Sequence, residues 1–203
     1  LVLTMAVLAI GGRGGDALRL TLAGVAAGAV LAGVTTGLAL SDPEAFDAMR
    51  GWNAGTLLGR DLEGLMPALP AIGLGIVIAL ACAPSLDALA LGDDVARTQG
   101  VPVAMVRVAA VAAVPLLAGS ATAVAGPIAF VGLMVPHLAR SIVGASQRAI
   151  VAISLLAGPA LVLLADVLGR VLVQPGEIPV GIVVAFVGAP ALIAIARRRR
   201  TDR

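Results

Sequence analysis

The sequence has no lysine and no tyrosine, one cysteine, one histidine and one tryptophan, and only 13% of its 203 residues are charged. Each scarcity closes off a kind of chemistry. The single thiol, Cys82, cannot form an internal disulfide and reads as packing. The single imidazole, His137, excludes a histidine-rich metal site and reads as a structural hydrogen-bonding residue near a membrane edge. Without lysine there is no Gly-x-x-x-x-Gly-Lys-Ser/Thr stretch, hence no nucleotide-binding loop. Gly11-Gly12-Arg13-Gly14-Gly15 reads instead as a hinge or tight loop. No catalytic constellation, metal site or bound cofactor is expected. Soluble domains carry roughly 25% charged residues; this chain has about half of that, with 60% hydrophobic residues and a mean hydropathy of +1.06. Most of its segments lack the polar stripe of a water-facing helix. A compact soluble domain is excluded, and an all-α polytopic membrane protein is expected.

What is present is a series of apolar segments. Six approach spanning length: Ala17 to Leu40, Leu65 to Ala83, Val103 to Val124, Pro127 to Val143 with an interruption at Pro136-His137, Ala149 to Val173, and Ile178 to Ala196. A spanning helix needs about 20 residues. The opening run Leu1 to Ile10 is too short to span and reads as the tail of a preceding helix, so the sequence is expected to be the C-terminal part of a longer chain. Signal-peptide features, a charged n-region and an Ala-x-Ala-like end, are not seen there.

The arginines orient these segments. One side collects Arg13, Arg19, Arg97, Arg107, Arg140, Arg148, Arg197 to Arg200 and Arg203, eleven of the 14; the other receives Arg50, Arg60 and Arg170. The positive-inside rule makes the first side cytoplasmic, with the C-terminus inside. The basic balance therefore reflects topology, and nucleic acid is not expected as a partner.

Two connections are too rich for plain loops. Ser41 to Gly64 lies outside and contains Trp52; a short interfacial helix with an amphipathic Glu44–Arg50 stretch would make Trp52 a headgroup-level anchor, a ligand contact being the alternative. Inside, Leu86 to Gly100 reads as two short helices capped by Asp87 and by Asp93-Asp94, with Gly92 and Gly100 as stops. Such a knob invites a partner, although an ordinary polar linker is the plainer reading. Gly24 and Gly28, like Gly33 and Gly37, are spaced for close helix crossings. Pro115, Pro127, Pro136 and Pro159 interrupt helices or lie near their ends, which favours a transport path over a rigid anchor.

Asp166 and Arg170 lie four apart on one face of the fifth segment, at the spacing of an ion pair. Asp166 lies about 10 Å in from Val173 by helical rise. A charge at that depth faces a bundle interior or pathway; a helix-locking pair is the main reading, proton or ion coupling the rival. Arg50, Arg60, Arg170 and Glu177 could pair with a soluble partner outside or simply face solvent.

Taken together, these residues resemble a known family. Gly126-Pro127-Ile128-Ala129-Phe130-Val131-Gly132-Leu133-Met134-Val135-Pro136-His137-Leu138-Ala139-Arg140 is similar to the most specific motif of the FecCD family, the permease subunits of iron-siderophore, haem and vitamin B12 ABC importers. Further matches follow in order: Leu89 to Arg97 then Gly100, Asp166 with Arg170, Glu177-Ile178-Pro179-Val180-Gly181, Gly188-Ala189-Pro190, and Trp52 with Gly55-Thr56-Leu57. Where the family usually has Phe after Gly-Ala-Pro, this chain has Ala191.

The resemblance implies a ten-span permease of the vitamin B12-importer type, of which this chain holds the end of the fourth helix and helices five to ten as one domain. It implies a second permease subunit, two cytoplasmic ATPase subunits and an extracytoplasmic binding protein, all around a multi-pass subunit in the cytoplasmic membrane and its lipid. Residues 86–100 would be the coupling helices, with Leu91, Gly92, Asp93, Ala96, Arg97 and Gly100 as ATPase contacts. Arg50, Arg60 and Glu177 would lie near the binding protein. The expected function is ATP-driven import, ferric siderophores first, with haem or vitamin B12 as alternative substrates. An ion-gradient-driven transporter and a non-transporting scaffold are the rival classes.

Overall fold

A computed structural model describes residues 17–173 and 176–201, which are helical wherever they are regular, with no strand among them. The Leu1–Ile10 tail, the Gly11–Gly15 loop and Gln174-Pro175 lie outside the described residues; so do the side chains of Arg19, Ala191 and the C-terminal arginines. The chain divides into two units, Leu1–Gly51 and Trp52–Arg203.

In the first unit, α1 (Ala17–Leu40) is apolar all round. It closes on Ser41, whose hydroxyl donates to the Gly37 and Leu38 carbonyls at 3.0 and 2.9 Å and so serves acceptors that have no intrahelical partner. Among the described residues nothing lies within 4 Å of a Cβ built on Gly24, Gly28, Gly33 or Gly37. Helix α2 (Pro43–Asn53) starts on Asp42, whose carboxylate accepts the Glu44 amide at 3.0 Å, with Pro43 at the first helical position. This is the short polar helix expected after the first span.

The second unit contains α3 (Leu62–Leu65), α4 (Leu69–Leu89), α5 (Asp93–Thr98), α6 (Val103–Ala125), α7 (Val131–Val143), α8 (Gln147–Leu172) and α9 (Val180–Thr201). Four helices among the described residues are long and apolar enough to cross a membrane: Thr21–Leu40 of α1, α4, α6 and α8. Of the six apolar segments, the fourth forms α7, which has 13 residues and covers about 20 Å of a hydrocarbon core near 30 Å. The cause is local: residues 126–130 leave the helix, bracketed by Gly126 (φ 78°) and Phe130 (φ 69°). Of α9, the described apolar part is Val180–Pro190.

Proline behaves differently from expectation. Helix α7 passes through Pro136 without a break, as α8 passes through Pro159 and α4 through Pro84. At Pro115, α6 widens into a π-helical turn, Pro115–Gly119. Proline supplies no N–H to the preceding turn, and a wider turn is one way to re-register the ladder around it. Gly75 of α4 faces this turn so closely that a Cβ would stand 2.8 Å from Leu117.

Two apolar clusters sit at opposite ends of the unit. Ala165, Val180, Val183 and Val184 join α8 to α9, with Leu57, Ile128 and Phe130 packed on them. At the arginine-rich end, Ala88, Ala96 and Val103 join α4, α5 and α6.

Candidate functional site

At the arginine-rich end, α4 continues without a break to Leu89. The first of the two short helices expected in residues 86–100 is thus the last turn of α4, and only α5 stands separately. Gly92 (φ 112°) turns the chain into α5 and Gly100 (φ 76°) turns it out, at backbone angles that glycine adopts without a Cβ penalty. Neither aspartate at the start of α5 caps it with its side chain. Instead, Arg107 Nη2 of α6 donates to both carboxylate oxygens of Asp93, at 2.7 and 2.9 Å. Asp94 pairs with Arg97 at 3.2 Å. Exposed ion pairs contribute about 0–1 kcal/mol each, so the main effect of the Asp93–Arg107 pair is to orient α5 against α6.

Asp87 was expected to cap its own helix. Its carboxylate instead accepts the backbone N–H of Gln147, sixty residues on, at the first residue of α8. Ser146 caps the same turn through Ala149 N–H at 3.5 Å. A carboxylate at a helix N-terminus meets both free amides and the positive end of the helix dipole. Ala96 is corrected as a partner contact: it is 0% exposed, covered by Ala88 and Val103, and serves to seat α5. The outward surface is formed by Leu91, Val95, Asp94 and Arg97, with Leu91 68% exposed.

At the opposite end, backbone meets backbone. The Trp52 indole N–H donates to the Ala123 carbonyl at 3.4 Å, so this side chain is held by the protein itself as well as lying half-buried. Thr56 N–H donates to Ala125 at 2.9 Å, and Gly181 N–H to Gly55 at 2.9 Å. Any Cβ on Gly126 would strike the Trp52 carbonyl, and any on Gly181 the Ala54 carbonyl. Gly55 (φ 68°) leaves 2.6 Å between its built Cβ and the Pro127 oxygen. Gly188 of α9 allows Phe130 to approach, with 2.8 Å to the Phe130 Cβ. The loop after α2, the 126–130 break and the start of α9 at Pro179 thereby form one junction. The positive φ of Phe130, the only non-glycine case among the described residues, has no signal in the sequence.

Asp166 and Arg170 pair as expected, Oδ2 to Nε at 2.9 Å, and Glu177 joins at 3.8 Å. The Glu177 carboxylate therefore already faces a cation of its own chain. Arg50 and Arg60 are exposed, with no ion pair among the described residues. Arg140 is likewise exposed without an ion pair, and Gly132 lies open in α7. His137 is half-buried and makes no hydrogen bond among the described residues. Among the described residues no cluster of three or more His, Cys, Asp or Glu could hold a metal. A cleft between α4, α6, α7 and α8 is lined by Ile76, Ala79, Leu117, Pro136, Ile150 and Ser154, and none of its lining side chains is ionisable. The Ser154 hydroxyl in it is buried without a hydrogen-bond partner.

Several apolar membrane-length helices, closed at one end by a charged knob and at the other by a glycine-built junction, define a multi-pass, all-α membrane protein. The fold is shared with a solved structure described as an inward-facing conformation of a putative metal-chelate type ABC transporter, at a TM-score of 0.82 and 26% identity, over 96% of this chain and 63% of that one. Residues 1–198 match the FecCD transport family, and the chain belongs to it. It is 47% identical over 202 residues to the ferric enterobactin transport system permease protein FepD of Escherichia coli, covering 98% of this chain and 60% of that protein. It is 35% identical over 189 residues to a probable siderophore transport system permease protein of Bacillus subtilis (93% and 57%), and 36% identical over 191 residues to the hemin transport system permease protein of Yersinia pestis (93% and 57%). The chain thus spans about three-fifths of the length of these relatives.

Proposed function

We propose that the chain belongs to the permease subunit of an ATP-driven importer that carries ferric siderophore complexes across the cytoplasmic membrane. The observation that carries this reading is the FecCD membership, with 47% identity to a ferric enterobactin permease. The chain itself hydrolyses nothing. ATP is consumed by two cytoplasmic ATPase subunits that dock on α5, a second permease subunit completes the pathway, and a binding protein delivers substrate from outside. The arginine distribution supports placing the α5 end and the C-terminus in the cytoplasm. The exposed Leu91, set among Asp94 and Arg97, supports α5 as the docking surface, because an exposed apolar residue within a charged rim suits a protein partner.

The ion-gradient alternative needs an ionisable group in a pathway. Asp166, the candidate the sequence offers, is paired with Arg170 at 2.9 Å. Haem remains the second substrate reading, favoured by the hemin permease relative. In the full-length protein, Arg97→Ala with Leu91→Ala is expected to abolish uptake and to release the ATPase on co-purification; undiminished uptake and binding would overturn the docking surface. Growth rescue on ferric siderophores set against haem, with cobalamin uptake measured in parallel, decides the substrate.

A further inference from the structure

The contact between Asp87 and the first amide of α8 has no part in packing an apolar core, and it joins two elements far apart in sequence. Its two sides have different connections. On one side, Asp87 adjoins Ala88, which forms the seat of α5 with Ala96 and Val103. Anything that displaces α5 bears on this turn of α4. On the other side, Gln147 opens a helix of 26 residues that runs without a break to Leu172. The far end of that helix carries Asp166 and Arg170, and its Gly169 carbonyl accepts the Ile178 N–H at 3.2 Å, next to the start of α9. The α4–α8 contact is charge-assisted and aimed along a helix axis, so it resists separation of the two helix ends better than an exposed side-chain pair does.

We infer that Asp87 is a positioning residue for transport: by holding the N-terminus of α8, it makes α8 follow the knob, so that movement of α5 reaches the opposite end of the subunit. This rests on the reading of α5 as the ATPase-docking element.

The sharpest test deletes the donor and leaves the carboxylate. Gln147 is the first residue of α8, where a helix tolerates proline, and Ser146 before it is already extended (φ −66°, ψ 112°), as a residue preceding proline must be. Gln147→Pro therefore removes the N–H that Asp87 accepts while preserving the helix, and Gln147→Ala removes only the side chain. The full-length permease is assembled with its ATPase and binding protein in proteoliposomes, and substrate transported per ATP hydrolysed is measured. Gln147→Pro and Asp87→Ala are each expected to lower this ratio at least about fivefold, taking the lower end of typical site-to-site coupling as the scale. Gln147→Ala is expected to match the wild type, and Asp87→Asn, which keeps an acceptor oxygen, to fall between. Co-purification of the ATPase is measured on every variant. A wild-type complex that fails to bind the ATPase overturns the docking reading. A Gln147→Pro complex that assembles normally and keeps the wild-type ratio overturns the role of Asp87.

Discussion

The two ends of the second unit are held together by opposite means. At the arginine-rich end, carboxylates join the elements around an apolar seat: Asp93 of α5 to Arg107 of α6, and Asp87 of α4 to the α8 amide. At the other end the joints are glycines against carbonyls, at Gly55, Gly126 and Gly181. Exposed charged side chains such as Arg107 can exchange partners for water at small cost, whereas the part-buried Asp87 contact holds α4 to α8. Backbone contacts with no room for a Cβ have no such freedom. Steric contact between backbones therefore sets the junction, whereas an apolar seat and exposed ion pairs set α5.

Substitutions should therefore cost most stability at the junction. The largest effect is expected for Gly126→Ala, which combines a positive φ with a collision against the Trp52 carbonyl. A loss of about 2–4 kcal/mol is expected, read as a collapse of the unfolding midpoint of the purified full-length permease in detergent. An unchanged midpoint would contradict the close approach. Gly188→Ala, pressing on Phe130 without backbone strain, should cost about 1–3 kcal/mol by overpacking. Trp52→Phe removes only the N–H to Ala123 along with some ring area, and about 1 kcal/mol is expected; a larger loss would mean that the indole packs more than it bonds.

The smallest stability effect belongs to the knob. A double-mutant cycle of Asp93→Ala and Arg107→Ala should return a coupling of about 0.2–1 kcal/mol, since Arg107 is 61% exposed. Raising the salt should shrink that coupling and leave the Gly126 penalty as it is, because screening acts on exposed charges and not on steric contact. Equal salt sensitivity at both ends would erase the distinction between them.

Much of this was legible in the residues. Scarce charge placed unevenly pointed to membrane spans, because burying charge in hydrocarbon is costly wherever it occurs. Asp166 and Arg170 could be paired from their spacing, since neighbours four apart on a helix share a face. Gly92 and Gly100 could be recognised as the limits of α5, as glycine at a helix boundary has a local cause. The capping assignments failed at Asp87 and Asp93 for one reason. A capping pattern states that a carboxylate seeks an amide or a cation, but not which one, and the nearer partner in sequence lost to Gln147 and Arg107.

Local spacing by itself thus determined that this chain is a set of apolar helices, and its ordered motifs resembled the family to which it belongs. Those properties follow from short-range rules of burial, helical period and turn chemistry. Tertiary structure alone decided that Ala96 faces inward, that Trp52 is bonded to Ala123, and that the glycines of the 126–130 motif and of the start of α9 serve a single junction. Each of these depends on contacts between residues dozens of positions apart, which exist only once the helices have packed.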